Sequence, residues 1–430
     1  MSETPRAFLE TLFNTAVAAA HPAHCLVPHL PAPPSRGRLV MLAAGKAAGA
    51  MTEVAERHYL DTRGLPPERL AGLAVTRHGY ACPTRLIRVV EAGHPVPDAA
   101  GLAATAETLA LAETATTHDL VLVLLSGGAS ANWIAPAAGV TFADKQAVTR
   151  ALLRSGAAIG EINSVRKHLS RIKGGRLART AFPAKLVTIA ISDVPGDDPS
   201  AIGSGPTVPD PTTLADARAI VAKYRLDLPA SVTAALVDPA NESPKPGNPV
   251  FAGSQFVLAA RPADALRAAE AAVRAAGYDC VSLGANVEGE ARDVAAAHAK
   301  LARELRAQGK RAVILSGGEL TVTIRGQGRG GPNQEYALAL AIGLAGMQAV
   351  MALAGDTDGT DGGIGEARDP AGALLDGGTV ARAAALGLDP AAFLADNNST
   401  AFFAALGDLL MTGATYTNVN DFRAIVVDRA

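Results

Sequence analysis

Three islands of glycine, hydroxyl and carboxylate residues each follow a short apolar run. They are Leu125-Ser126-Gly127-Gly128-Ala129-Ser130-Ala131, Ser192-Asp193-Val194-Pro195-Gly196-Asp197-Asp198 and Gly355-Asp356-Thr357-Asp358-Gly359-Thr360-Asp361-Gly362. Glycine lets backbone amides approach a phosphate closely, and neighbouring carboxylates can hold a divalent cation. In open α/β sheets, ligands bind beyond the carboxyl ends of strands. The pattern predicts an enzyme that handles phosphate, a metal and a small polar substrate.

Each candidate also has a plainer reading. Ser126, Gly127, Gly128, Ala129 and Ser130 form either a phosphate cradle or a tight strand-to-helix turn, and lack the Gly-Lys-Ser/Thr ending of a Walker A loop. Lys46 follows Gly45 at the end of a strand-like run, where a lysine can neutralise a moving phosphoryl group or simply be solvated. Residues 163–179 carry Arg166, Lys167, His168, Arg171, Lys173, Arg176 and Arg179. Such a run is usually a solvated helix face complementing the helix dipole, yet Lys173 abuts a Gly174-Gly175 stop and could reach a ligand. Asp193, Asp197 and Asp198, like Asp356, Asp358 and Asp361, can serve proton transfer or magnesium, or can be turn formers and helix caps. Residues 326–331 spell GxGxxG, but the preceding Ser316–Glu319 turn predicts a hairpin, and no acid stands about 20 residues on as a dinucleotide fingerprint requires. No Cys/His cluster and no GxSxG elbow is present.

These residues need a scaffold, and the elements alternate. Helix is expected at 8–20, 99–113, 144–173 (as two helices), 262–276, 288–307 and 333–345. Strands are expected at 39–42, 73–76, 119–125, 186–191, 256–260, 280–283, 311–315, 320–324, 350–354 and 424–427. Strand–helix alternation predicts a mostly parallel sheet covered on both faces. The 430 residues suggest two or three domains; the division expected is 1–240 and 241–430, with 238–249 as the linker. A net charge of −2 gives no basic excess for nucleic acid, and no apolar run reaches the ~20 residues of a membrane span. Three scattered cysteines and an N-terminus without a signal core point to the cytoplasm.

Taken together the motifs resemble the class II glycerate 2-kinases, the family with a C-terminal MOFRL domain. The resemblance rests on Gly45-Lys46-Ala47, Gly93-His94-Pro95-Val96-Pro97, the first island, residues 162–170 with Lys173-Gly174-Gly175, the second island, Gly203-Ser204-Gly205-Pro206-Thr207, Ser316-Gly317-Gly318-Glu319, Gly330-Gly331-Pro332-Asn333-Gln334-Glu335, the third island and Thr417-Asn418-Val419-Asn420-Asp421. It implies a Rossmann-like N-terminal domain, a smaller α/β MOFRL domain and an active site in the inter-domain cleft. It also implies phosphorylation of D-glycerate at its 2-hydroxyl, with ATP and Mg2+ as cofactors. Under it, Lys46, Asp193 and Arg325 are the catalytic candidates. Ser126–Ser130, Lys173, Glu319 and Asn333 are candidates for nucleotide contact, with Lys173 and Arg166 for phosphates or the substrate carboxylate. Asp193, Asp356 and Asp361 are candidates for the metal. Many members have arginine where this chain has Pro332, so Arg325 or Arg329 is expected to supply that charge. Some relatives are called hydroxypyruvate reductase, which makes an NAD(P)H-dependent reductase the alternative. The partners expected are D-glycerate and ATP, with no nucleic acid and no membrane, and a homodimer is left open.

Overall fold

The computed structural model describes residues 4–363 and 366–429. Among the described residues fourteen strands alternate with helices: β1 Leu39–Ala44, β2 Leu70–Arg77, β3 Arg88–Ala92, β4 Leu120–Leu125, β5 Lys185–Ile191, β6 Gln255–Ala260, β7 Asp279–Ser282, β8 Gly289–Glu290, β9 Ala312–Ser316, β10 Leu320–Thr321, β11 Val350–Asp356, β12 Gly372–Asp376, β13 Leu409–Leu410 and β14 Asp421–Val427. They form two six-stranded sheets and one two-stranded ribbon. The mixed α/β class expected from the alternation is what the chain adopts.

The chain divides into two compact units. The parallel-sheet unit comprises Leu26–Ala190 and Asp197–Ala259; the mixed-sheet unit comprises the stretch up to Cys25, Ile191–Gly196 and the chain from Ala260 onward. The two units alternate along the sequence, so no single cut near residue 240 separates them. The 238–249 stretch is not the expected linker. It packs inside the parallel-sheet unit, where Ser243 Oγ donates to Asp210 Oδ2 at 3.0 Å and Glu242 Oε1 lies 3.1 Å from His168 Nε2. Its Pro, Asn and Gly content reflects short 3-10 turns at Pro239–Asn241 and Pro249–Phe251.

The parallel-sheet unit carries the order β3-β2-β1-β4-β5-β6. β1 and β4, LVMLAA and LVLVLL, are buried at every position and pair in parallel, as near-continuous apolar runs do at the centre of a covered sheet. From β1 the chain proceeds to β2 and β3 on one side, then crosses to β4 on the other. β1 and β4 therefore flank a topological switch point, where their following loops diverge and leave a crevice. The strand β3 lies just ahead of the loop at Gly93 and was not anticipated, because only Ala92 in it is fully buried.

The mixed-sheet unit has the order β13-β12-β11-β14-β9-β7, parallel only between β7 and β9. The N-terminal helix Pro5–Ala20 belongs to this unit. Its buried stripe includes Phe8, Leu12 and Phe13; Phe8 stacks on Tyr278 at 5.4 Å and Phe13 meets Phe422 edge-on at 6.1 Å. Each such side chain contributes roughly 1.5–3 kcal/mol of burial. On the other face, helices Ala291–Ala307 and Pro332–Gly343 pack through small residues, so that a Cβ at Gly343 would lie 2.8 Å from the Ala299 Cβ. The hairpin expected from β9 to β10 does not form. β9 pairs with β7 and β14, whereas β10 pairs in parallel with β8 in the separate ribbon. Gly318, at φ +101 and with Val287 against it, turns the chain out of the main sheet. Residues 322–324, expected as strand, lie outside β10. No helix among the described residues is long and apolar enough to cross a membrane.

Candidate active site

In the parallel-sheet unit three motif loops leave the carboxyl ends of β1, β3 and β4 and meet. Ser126 N donates to Ala44 O at 3.0 Å, Lys46 N donates to Gly127 O at 2.8 Å, and Ala47 N donates to the buried Ser126 Oγ at 2.9 Å. Gly45 has φ +119 and faces Ser126, leaving no room for a side chain. Gly128 has φ +87; a Cβ there would lie 2.9 Å from His94 Cδ2 and 3.3 Å from Lys46 Cγ. Lys46, half-buried, and His94 thus flank the same glycine of the first island. In the sequence His94 belongs to the Gly93–Pro97 motif. Its partnership with Gly128 joins residues 34 positions apart, and no local pattern announces it.

Ser130, at the far end of the island, shares a 2.6 Å hydroxyl contact with Ser204 of the Gly203–Thr207 motif. Gly174 and Gly175 amides donate to Ser204 O and Gly205 O at 3.0 and 2.7 Å. Lys173 lies beneath this arrangement. It is only 1% exposed, and its ammonium donates to Ser130 O at 2.8 Å and Trp133 O at 3.1 Å. Burial, with Arg166 and Lys145 nearby, pushes its pKa well below the usual lysine range. The expected ligand contact through Lys173 is thereby corrected. The side chain braces the loop from inside, because its donors are turned to carbonyls (an ammonium under a loop cannot also lie on its outer face).

The mixed-sheet unit gathers the remaining motifs around a buried polar chain. Asp361 caps helix Pro332–Gly343: Oδ1 accepts the Asn333 backbone and side-chain amides at 3.0 and 3.2 Å, and Oδ2 accepts those of Gln334 at 2.8 and 3.1 Å. Asn333, fully buried, also donates to Asp421 Oδ1 at 2.6 Å. Asp421 Oδ2 accepts from Arg423 Nη1 at 2.9 Å, and Arg423 continues to Ser316 Oγ at 3.2 Å and to Gly317 O. Four motifs distant in sequence are therefore one network. Burial pushes the Asp361 carboxyl up to about 7 against its four N–H donors, and burial likewise raises Asp421 despite Arg423.

This geometry revises two further expectations. Asp361 is a helix cap in place of the expected metal contact, since both its oxygens are committed to amides. Asn333 is an internal link in place of the expected nucleotide contact. It also explains why the GxGxxG of 326–331 is no dinucleotide loop: the helix amides that would receive a pyrophosphate hold the Asp361 carboxylate.

Other sites remain near the strand ends. Asp193 Oδ2 accepts from Asn418 Nδ2 at 2.8 Å, and its carbonyl accepts from Asn420 Nδ2 at 2.8 Å. Asn420 O in turn accepts from Thr357 N at 3.1 Å. Asp356 pairs across from Asp421 in the β11–β14 register, and its Oδ1 accepts the Asp358 amide at 2.9 Å. Asp358 is buried, its Oδ1 taken by Thr360. Glu319 is exposed on the turn after β9. Arg325 is exposed too, and its backbone amide is held by Asn397 Oδ1 at 2.7 Å. Among the described residues no group of three or more His, Cys, Asp or Glu side chains is poised to hold a metal by itself.

Residues 8–237 match the family model described as a domain of unknown function, DUF4147, and residues 312–421 match the MOFRL family. The chain is 48% identical over 428 residues to a protein of Agrobacterium vitis named putative hydroxypyruvate reductase, covering 98% of this chain and 94% of the relative. It is 38% identical over 389 residues to the D-glycerate 2-kinase of Thermotoga maritima, covering 89% of each. A crystal structure of glycerate kinase from Thermotoga maritima superposes with a TM-score of 0.84 at 35% identity, covering 98% of both chains. The chain accordingly belongs to the glycerate 2-kinase family, in which a DUF4147 region precedes a MOFRL region.

Proposed function

We propose that this protein transfers the γ-phosphoryl group of ATP to the C2 hydroxyl of D-glycerate, giving 2-phospho-D-glycerate and ADP. The observation that carries the reading is the meeting of Lys46 and Gly128 at the switch point between β1 and β4. A glycine at positive φ, where a side chain would collide with its neighbours, leaves loop amides open to anionic oxygens, and the half-buried lysine beside it is placed to offset charge on a moving phosphoryl group. Phosphoryl transfer needs positioning and charge neutralisation more than covalent chemistry.

Asp193 orients or deprotonates the hydroxyl, its carboxylate aimed by Asn418. Mg2+ is taken as the companion of ATP. It commonly uses one or two carboxylates with phosphate oxygens. Asp193 and Asp356 are the residues that would hold it, and when bound it would neutralise phosphate charge. Arg325 and Glu319 are exposed in the same unit as Asp193; Arg325 serves as a further catalytic candidate and Glu319 as a candidate for nucleotide contact.

The assay is incubation with D-glycerate, ATP and magnesium, read by phosphorus NMR. A 2-phosphate product supports the proposal, and a 3-phosphate or no transfer overturns it. The reductase reading, favoured by the name of one relative, predicts NADH oxidation with hydroxypyruvate; the occupied helix start at Asn333 and Gln334 argues against it.

A further inference from the structure

Helix Ile159–His168 ends in a group of cations whose charges are unevenly balanced. On one side the balance is local: Lys167 Nζ lies 3.4 Å from Asp210 Oδ1, and Arg176 sits near Asp210 and Glu242. On the other side lie Lys145, Lys173 and Arg166. The buried Lys145 ammonium donates to Arg166 O at 2.8 Å and Leu169 O at 2.9 Å, and Lys173 donates to Ser130 O and Trp133 O. Among the described residues neither ammonium touches a carboxylate. The half-buried Arg166 guanidinium has neither a carboxylate nor a carbonyl partner among the described residues.

Arginine near a helix C-terminus commonly serves the terminal carbonyls. Here Lys145 has taken those carbonyls. Burial lowers the pKa of Arg166, and Arg166 contributes to lowering both lysines, while no acid offsets any of the three. A partly desolvated guanidinium with five donors and no acceptor is costly unless a ligand supplies one. Lys173 ties this cation group to the Ser126–Ser130 loop.

We infer that Arg166 receives the carboxylate of the small hydroxy-acid substrate at the edge of the Ser126–Ser130 loop. This rests on the proposed kinase reading. Lys46 and the loop amides attend the phosphoryl group there, whereas the carboxylate is the only charge on glycerate and needs its own cation. The planar guanidinium fork matches a carboxylate through two parallel hydrogen bonds.

The test uses the full-length protein with Arg166→Ala and Arg166→Lys, varying D-glycerate and ATP separately. Arg166→Ala is expected to raise KM for D-glycerate about 10- to 100-fold, with KM for ATP within about twofold. Arg166→Lys should recover part of the loss. Preference for glycerate over the neutral acceptor glycerol should fall in Arg166→Ala by a similar factor. A rise in KM for ATP instead assigns the site to phosphate and overturns the inference, as does an unchanged KM for both substrates. Calorimetric titration of D-glycerate without ATP reads the contact independently of turnover. Lost binding in Arg166→Ala, with circular dichroism unchanged, supports the carboxylate contact even if the wild type transfers no phosphate; unchanged binding overturns it. Arg166→Met preserves the stem and replaces Arg166→Ala if the latter fails to fold.

Discussion

Asp361 and Asn333 are joined twice through a single oxygen, which accepts the backbone amide at 3.0 Å and the side-chain amide at 3.2 Å. The third glycine island is thereby bound to the start of helix Pro332–Gly343. Asp361→Ala removes a cap and strands several buried donors. It should cost about 3 kcal/mol or more, read from urea unfolding. An unchanged midpoint would show that the capping contacts contribute nothing net.

Lys46→Ala is expected to lower kcat by about two orders of magnitude or more while leaving the fold intact, since Lys46 is only half-buried. Steady-state kinetics with D-glycerate and ATP measure it. A variant with wild-type kcat would remove Lys46 from the mechanism.

Gly128→Ala should both destabilise the protein by about 1–2 kcal/mol and reduce turnover, because the new Cβ would sit 2.9 Å from His94 Cδ2 at φ +87. Adding His94→Ala relieves the collision but not the backbone strain. The double variant should therefore recover part of the stability in a thermal melt; equal melts would place the whole cost in the backbone.

Asn418→Ala removes the amide that donates to Asp193 Oδ2. A fall in kcat of roughly tenfold with little change in KM is expected, smaller than the loss for Asp193→Asn, which should exceed about a hundredfold. Equal KM and kcat for Asn418→Ala and wild type would deny Asn418 a positioning role.

His298 is buried, its Nδ1 2.8 Å from the Tyr336 hydroxyl, and burial with Arg423 nearby pushes its pKa down from 6.5 to about 4. The unfolded chain then binds a proton that the folded chain refuses between those values. Stability from this residue is present above pH 6.5 and is lost as pH falls toward 4, by up to about 1.4 kcal/mol per unit. Urea midpoints of wild type and His298→Gln over pH 4–7 should diverge in slope; parallel curves would refute the shift.

Local pattern carried much of this molecule. The apolar runs of β1 and β4, the amphipathic stripe of Phe8, Leu12 and Phe13, and the strand-end placement of the glycine islands all follow from periodicity and backbone freedom, which neighbouring residues determine. Lys46 and Ser126 were legible as candidates because residue type and position beside a strand suffice to name them.

Tertiary structure decided what each charge does. Asp356 and Asp361 occupy one short island, yet Asp361 is spent on a helix start 27 and 28 residues away in the chain while Asp356 stands opposite Asp421. Lys173 and Arg166 share one basic run, yet one ammonium is consumed by carbonyls and the other cation keeps its donors. A sequence states that a side chain can ionise and donate. Which partner reaches it first, and how much water it loses, depends on segments brought together only by folding.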